Sequence, residues 1–319
     1  MTVPAQTVFP VFVGSGRSGT TLLRTIFDAH PQLAVAHEPQ FMGTVARKRA
    51  QLEANGFDLD EFIATLNGNS NYRHLELDAD GVKSALDEAD PQNTADAVRV
   101  VLGEYARRDE KPLYADKTPG YVVQIPDLAR MFPEIRFVHL IRDGRDVALS
   151  YLERPWGPST IGESALYWRS RVGRGRKAGK VIGPERYLEV RYEDLVADPE
   201  AEVVRICSFL SLPFAPEMLQ YHESAENLIA TSHQPEAFSA LLLPPTSGLR
   251  DWTTEMKVDD VALFEAIAGD LLEDLDYPRR TRTVSLTTRS RVLRAEAGWS
   301  AQRARAAIKI RLHRVKRTR

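Results

Sequence analysis

The chain has 319 residues, 43% of them hydrophobic and 27% charged, with a formal net charge of −2. That length and composition allow a large core and exclude a chain disordered over most of its length. No apolar run approaches the roughly 18 residues of a membrane-spanning helix, and the single cysteine, Cys207, excludes an internal disulfide and argues against a cysteine-based metal site.

The N-terminal stretch MTVPAQTVFPVFVG has no basic segment before its apolar part, so no secretory signal is expected and a cytoplasmic location is the simplest expectation. Residues 8–14 form a short apolar run rich in β-branched and aromatic side chains, which predicts a buried parallel strand. A glycine-rich turn follows, and then TTLLRTIFDAH, with Leu22, Leu23, Ile26 and Phe27 at helical spacing. Residues 31–39 predict a second strand ending at Glu38, with Pro39 as a stop. Residues 43–113 are more polar and predict a helical insertion able to cover a pocket. A helix is expected over 121–132, a buried strand over 135–142, then the helix GRDVALSYLE and a basic helix over 163–182. RYLEVRYEDL supplies another strand, and two amphipathic helices, DPEAEVVRICSFLSLPF and VALFEAIAGDLLEDLDYP, close the ordered part. Strands alternating with helices imply an α/β fold of three layers, of the P-loop type, with a central parallel sheet, helices on both faces and a helical cover. The expected domain runs over 1–278.

Residues 279–319 make a basic C-terminal extension with 14 Lys and Arg against one acid, Glu296. The rest of the chain carries 28 Lys and Arg against 43 Asp and Glu. Three fates are open for the extension: a basic amphipathic helix on a membrane surface, docking on the acidic body or a second subunit, or disorder. Contact at the periphery of a membrane would modify the cytoplasmic expectation. No nucleic-acid partner is expected.

The turn from Gly14 to Thr21 has the spacing G-x-x-x-x-G-K-[ST] of a nucleoside-triphosphate loop, but Thr20 stands where the lysine belongs. In ATP enzymes that lysine reaches the β/γ-phosphates and the next residue helps to hold Mg²⁺. The backbone N–H groups, the helix N-terminus, the Arg17 guanidinium and the hydroxyls of Thr20 and Thr21 still suit a smaller anionic group without a metal.

The segments GRSGTTLLRTIFDAHPQLAVAHEP, DKTP and RFVHLIRDGRDVALSY together resemble the sulfotransferases that use 3′-phosphoadenosine 5′-phosphosulfate (PAPS), most of all the tyrosylprotein sulfotransferase-like branch and its bacterial relatives. The resemblance spans about Phe9 to Pro278. It implies sulfuryl transfer from PAPS, without a metal, to a hydroxyl acceptor, giving a sulfate ester and adenosine 3′,5′-bisphosphate. It places Gly16, Arg17, Ser18, Gly19, Thr20 and Thr21 at the 5′-phosphosulfate, and Arg142 and Ser150 at the 3′-phosphate. For Arg142, an ion pair with a nearby acid is the plain alternative. Glu38 matches the carboxylate that takes the acceptor's proton. His37 is its rival, and strand alternation should let only one of the two face the site.

Lys117 matches a lysine that, with Arg17, offsets charge on the leaving group, although without the resemblance a lysine before Thr-Pro reads as a surface residue. Tyr192 matches a tyrosine near the nucleotide, and Trp252 the tryptophan of a late covering segment. There this sequence departs from the branch, with Asp251 before the tryptophan in place of lysine and Arg250 one step earlier. The acceptor stays open among small-molecule, sugar, lipid and peptide hydroxyls. A P-loop kinase acting on a small molecule and a non-catalytic nucleotide-binding protein are the rival readings.

Overall fold

The structure, a computed structural model, describes residues 7–220 and 251–317; Arg250, and with it the question of a substitute for the missing lysine, lies outside the described residues. Among the described residues the chain forms two compact units, one from 7–141 and 174–220, the other from 142–173 and 251–317.

The first unit is built on a parallel sheet of five strands, β1 (Phe9–Gly14), β2 (Leu33–His37), β3 (Leu113–Lys117), β4 (Ile135–Ile141) and β5 (Tyr187–Arg191). Their order is β2-β3-β1-β4-β5. Four of these were expected from their apolar runs. β3 was not: LYADK is short and ends in two charges, yet it lies between β2 and β1. Its Lys117 pairs in register with His37 on one side and Phe12 on the other. The sheet is buried on both faces, as all-parallel sheets are. Val11, Ala34, Ala36 and Phe137 belong to one core, while Phe12, Val35, Ala115 and Val138 belong to the other.

Helices α1 (Thr20–Asp28), α9 (Tyr192–Ala197) and α10 (Pro199–Leu210) cover the second core, and Cys207 is buried there. The expected helical cover is α2 (Phe41–Leu52), α3 (Leu59–Asn67), α4 (Ala79–Ala89) and α5 (Thr94–Arg108) over the first core. The starts of α3, α4 and α5 are written in the sequence, because Asp58, Asp78 and Asn93 each accept the backbone N–H three residues on. The single helix expected over 121–132 is instead a 3₁₀ turn, Pro119–Val123, followed by α6 (Ile125–Met131). Pro126 explains the restart: it donates no N–H, and its ring clashes with the turn before it.

The second unit contains α7 (Gly144–Leu152), the first part of α8 (Ile161–Ile182), α11 (Trp252–Glu255), α12 (Val258–Glu273) and α13 (Leu286–Arg317). At its centre lies Arg145, fully buried. Its guanidinium bonds Asp143 Oδ2 at 2.7 Å and Glu265 Oε1 at 2.7 Å, and stacks 3.4 Å from the centre of the Trp252 ring. Glu265, also buried, accepts the backbone N–H groups of Arg280 at 3.0 Å and Thr281 at 2.7 Å. The basic C-terminal stretch is the helix α13, whose Arg291 bonds Asp260 of α12 at 2.5 Å.

Removing one partner of a buried charge pair strands the other. Arg145→Met should therefore cost about 3–5 kcal/mol in denaturant unfolding. The double change Arg145→Met, Glu265→Leu should recover little of that loss, because it also strands the Arg280 and Thr281 N–H groups that Glu265 accepts. A single variant as stable as the parent would show that Glu265 does not depend on Arg145.

Candidate active site

The anion loop is made by backbone shape. Gly16, Arg17 and Gly19 have φ of 52°, 61° and 88°, all left-handed. Gly19 is required twice over: a Cβ there would lie 2.4 Å from Cδ2 of Tyr192, and φ alone would strain any side chain. Tyr192, at the start of α9, thus has its ring against the loop. The loop is also held from within, by a 2.9 Å bond between the buried hydroxyls of Ser15 and Ser18. Helix α1 then begins at Thr20 with no side-chain cap and no acid in its first turn. Its N-terminal N–H groups and positive dipole end suit an anion. Arg17 and Thr21 are half-buried, and Thr20 is buried.

On one side of β1, β3 and then β2 end side by side. The backbone N–H of Glu38 donates to the Lys117 carbonyl at 2.9 Å, and Lys117 Nζ donates to Glu38 Oε1 at 2.7 Å. The side chain of Lys117 is 0% exposed and that of Glu38 33%. Far from lying on the surface, Lys117 is an ammonium group inside the protein, with burial lowering its pKa and Glu38 opposing that shift. The carboxylate is the end of the pair that reaches solvent. Among the described residues nothing else bonds the Glu38 carboxylate, so Oε2 can meet a substrate proton.

The strand itself stops at His37, and Glu38 has φ 48°. Alternation therefore does not decide between the two. Burial, then Lys117, Arg24 and His74, push the His37 imidazole down to about 2. Such an imidazole takes no proton at neutral pH.

Asp116, unremarked in the sequence, is fully buried beside Lys117 in the chain, and burial pushes its carboxyl up to about 7. A charged residue inside an otherwise apolar strand was the signal available for it.

Arg142 and Ser150 belong to the second unit, and both are buried. Arg142 has the acid partner foreseen as the plain alternative, Asp146, at 3.6 Å. Asp146 also accepts the backbone N–H of Trp252 at 2.9 Å. Asp146 and Ser150 are one helical step of four apart and share a face of α7. The main chain is fixed as well, with the Trp168 indole donating to the Arg142 carbonyl at 3.1 Å. Asp146 is a residue the sequence reading missed, although its i+4 spacing from Arg142 was there to see.

A family model described as sulfotransferase family matches residues 10–216, and one described as sulfotransferase domain matches residues 167–276. The chain belongs to the sulfotransferase family. It is an enzyme of PAPS-dependent sulfuryl transfer to a hydroxyl acceptor, and the kinase and non-catalytic readings fall away. It is similar to a putative protein-tyrosine sulfotransferase of Caenorhabditis briggsae, 29% identical over 274 residues, covering 81% of this chain and 88% of that protein. Protein-tyrosine sulfotransferase A of Caenorhabditis elegans is 23% identical, covering 84% of this chain and 67% of that protein. Two solved structures share the fold. The sulfotransferase domain of the curacin biosynthetic pathway has a TM-score of 0.59 at 20% identity, covering 85% of this sulfotransferase and 98% of that chain. That of the Synechococcus PCC 7002 olefin synthase has 0.58 at 22%, covering 85% and 94%.

The buried titratable groups set a pH dependence for the sulfotransferase. Burial also pushes the His139 imidazole down to about 3. In the unfolded chain both imidazoles take up protons near 6.5, and in the folded chain they do not, so stability falls as pH drops below 6.5. Asp116 acts oppositely, since its folded carboxyl stays protonated above its ordinary 3.8, up to about 7. Two imidazoles outweigh one carboxyl, so stability should rise with pH from about 4 to 6.5. His37→Gln should flatten that rise in urea unfolding across the same window; an unchanged slope would contradict the assignment.

Proposed function

We propose that Glu38 is the general base of the sulfotransferase, that Lys117 and Arg17 stabilise the charge left on the departing phosphate, and that the acceptor is the phenol of a peptide tyrosine. The observation that carries this reading is the Lys117–Glu38 pair, held at 2.7 Å where β2 and β3 end, in the sheet whose β1 leads into the anion loop. Ligands of open parallel sheets lie beyond the carboxyl ends of the strands. The loop fits a phosphosulfate: it has left-handed backbone, an uncapped helix start, a cationic side chain, and no Cβ where Tyr192 presses on Gly19. Gly16, Arg17, Ser18, Gly19, Thr20 and Thr21 would hold the 5′-phosphosulfate. Arg142, steadied by Asp146, would hold the 3′-phosphate together with Ser150.

The chemistry of these residues follows. Glu38 Oε2 takes the acceptor's proton as the acceptor oxygen forms its bond to sulfur and the bond from sulfur to the bridging oxygen breaks. The bridging oxygen keeps the electron pair, and its growing negative charge is what Lys117 and Arg17 offset. A buried ammonium group acts more strongly in that role than an exposed one, because little water screens it. The products are a sulfate ester and adenosine 3′,5′-bisphosphate. Two points support a phenol. Two relatives matched over most of this chain carry the name protein-tyrosine sulfotransferase, one of them as putative. A phenol, with a pKa of about 10, also gives up its proton to a carboxylate more readily than an aliphatic hydroxyl does.

Glu38→Gln keeps the shape of the side chain and removes the proton acceptor. It should lower kcat by roughly 10²–10⁴-fold with labelled PAPS and a tyrosine peptide. Binding of adenosine 3′,5′-bisphosphate, measured by calorimetry, should hardly change. Near-normal turnover would place the base elsewhere. A serine peptide sulfated as well as its tyrosine counterpart would remove the phenol assignment but leave the base standing.

The nucleotide sites have their own test. Adenosine 3′,5′-bisphosphate should raise the melting temperature more than AMP at equal concentration, since ligands stabilise the state they bind. Arg142→Ala should abolish that difference. Equal shifts in the parent protein would sink the 3′-phosphate assignment.

A further inference from the structure

Helix α13 has two faces, and among the described residues only one is seated on the rest of its unit. Thr288, Arg291, Ala295 and Trp299 recur every three or four residues and seat the helix. Thr288 is buried, Arg291 bonds Asp260, the Ala295 methyl lies over Gly162, and the Trp299 ring meets Tyr167 edge-on at 6.4 Å. The opposite face carries Leu286, Leu293, Ala297, Ala304 and Ile308, in steps of seven, four, seven and four. Its large side chains are in water, with Leu286 81% exposed, Leu293 66% and Ile308 59%. Arg289, Arg294, Arg303 and Arg305 flank this stripe, all exposed, and the only acid of the helix is Glu296.

We infer that this outer face of α13 docks the sulfotransferase on an anionic lipid surface. Three features select that occupant. The apolar stripe has an eleven-residue repeat, which drifts by only about 20° per repeat on a straight helix. It therefore stays in line from Leu286 to Ile308, over about 33 Å, as a flat partner requires. Arginines border the stripe on both sides, so pairing with the same face of a second copy would set like charges against each other. Anionic headgroups answer those arginines instead, while the leucines and isoleucine enter the acyl boundary. Among the described residues no helix is long and apolar enough to cross a membrane, so the contact is peripheral.

The inference does not depend on the catalytic assignments, and its test reads binding rather than turnover. The full chain is mixed with vesicles of phosphatidylcholine alone, or with added phosphatidylserine, and vesicle-bound protein is separated by flotation. Binding should need phosphatidylserine and fall as salt rises. Leu293→Glu and Ile308→Glu should each weaken it by about tenfold or more. Arg303→Gln should weaken it by about fivefold. These side chains are in water, so the variants should melt as the parent does. No binding to either vesicle overturns the inference. So does binding that the Leu293 and Ile308 variants leave intact. A mass in free solution that rises to a dimer with concentration, and that these variants reduce, would assign the face to a second copy instead.

Discussion

An ammonium group with no access to water must be matched by a negative charge, and in this protein the match is Lys117 with Glu38. The lysine ends β3, which lies between β2 and β1 with a paired strand on each side. The same requirement fixes the residue after β2. Glu38 must turn back toward β3 to reach Nζ, and it does so in a left-handed conformation that strand geometry would not provide. The pair is asymmetric in exposure, with the cation inside and the carboxylate at the edge. That asymmetry leaves a cation that water cannot screen beside a carboxylate that solvent can reach. It also settles the histidine next door, which is kept neutral partly because Lys117 is close.

Local pattern made some of this legible. β1, β4 and α1 announce themselves through apolar runs and helical spacing, and the loop between β1 and α1 through its glycines. Three of the four cover helices declare their starts with Asp58, Asp78 and Asn93. β3 was hidden because its charged residues argue locally for the surface, and what places them inside is pairing with strands far away in sequence. The roles of Arg17, Glu38, Lys117, Arg142, Ser150 and Tyr192 came from the resemblance. The structure adds what surrounds each one: Tyr192 against Gly19, Asp146 beside Arg142, and no exposed surface at all on the Lys117 side chain. The choice between His37 and Glu38 could not be read from alternation, because that rule holds only while the strand continues.

The second unit follows a different economy of charge. Arg145, Asp143 and Glu265 are buried together, and a buried ion pair is by itself weak evidence of stability. What the charged set adds is geometry: one guanidinium fixes the cap of α7, a carboxylate of α12 and the face of Trp252 at the same time. Trp252 in turn donates its backbone N–H to Asp146. Through that chain of contacts the Arg145 cluster is linked, by way of Trp252 and Asp146, to the guanidinium of Arg142.

Arg145 and Glu265 lie 120 residues apart in sequence. A ribosome adding residues at 5–20 per second leaves roughly ten seconds between the emergence of the two. Throughout that interval the growing polypeptide holds an arginine whose final environment has not yet been made, whereas every strand of the sheet is already in hand by Arg191. Synthesis thus has a natural order, with the sheet first and the second unit only once its C-terminal segment arrives. A translational pause between those two points would prolong the life of a half-built molecule. The codons after β5 are therefore where slow decoding would bear most heavily on the yield of this enzyme.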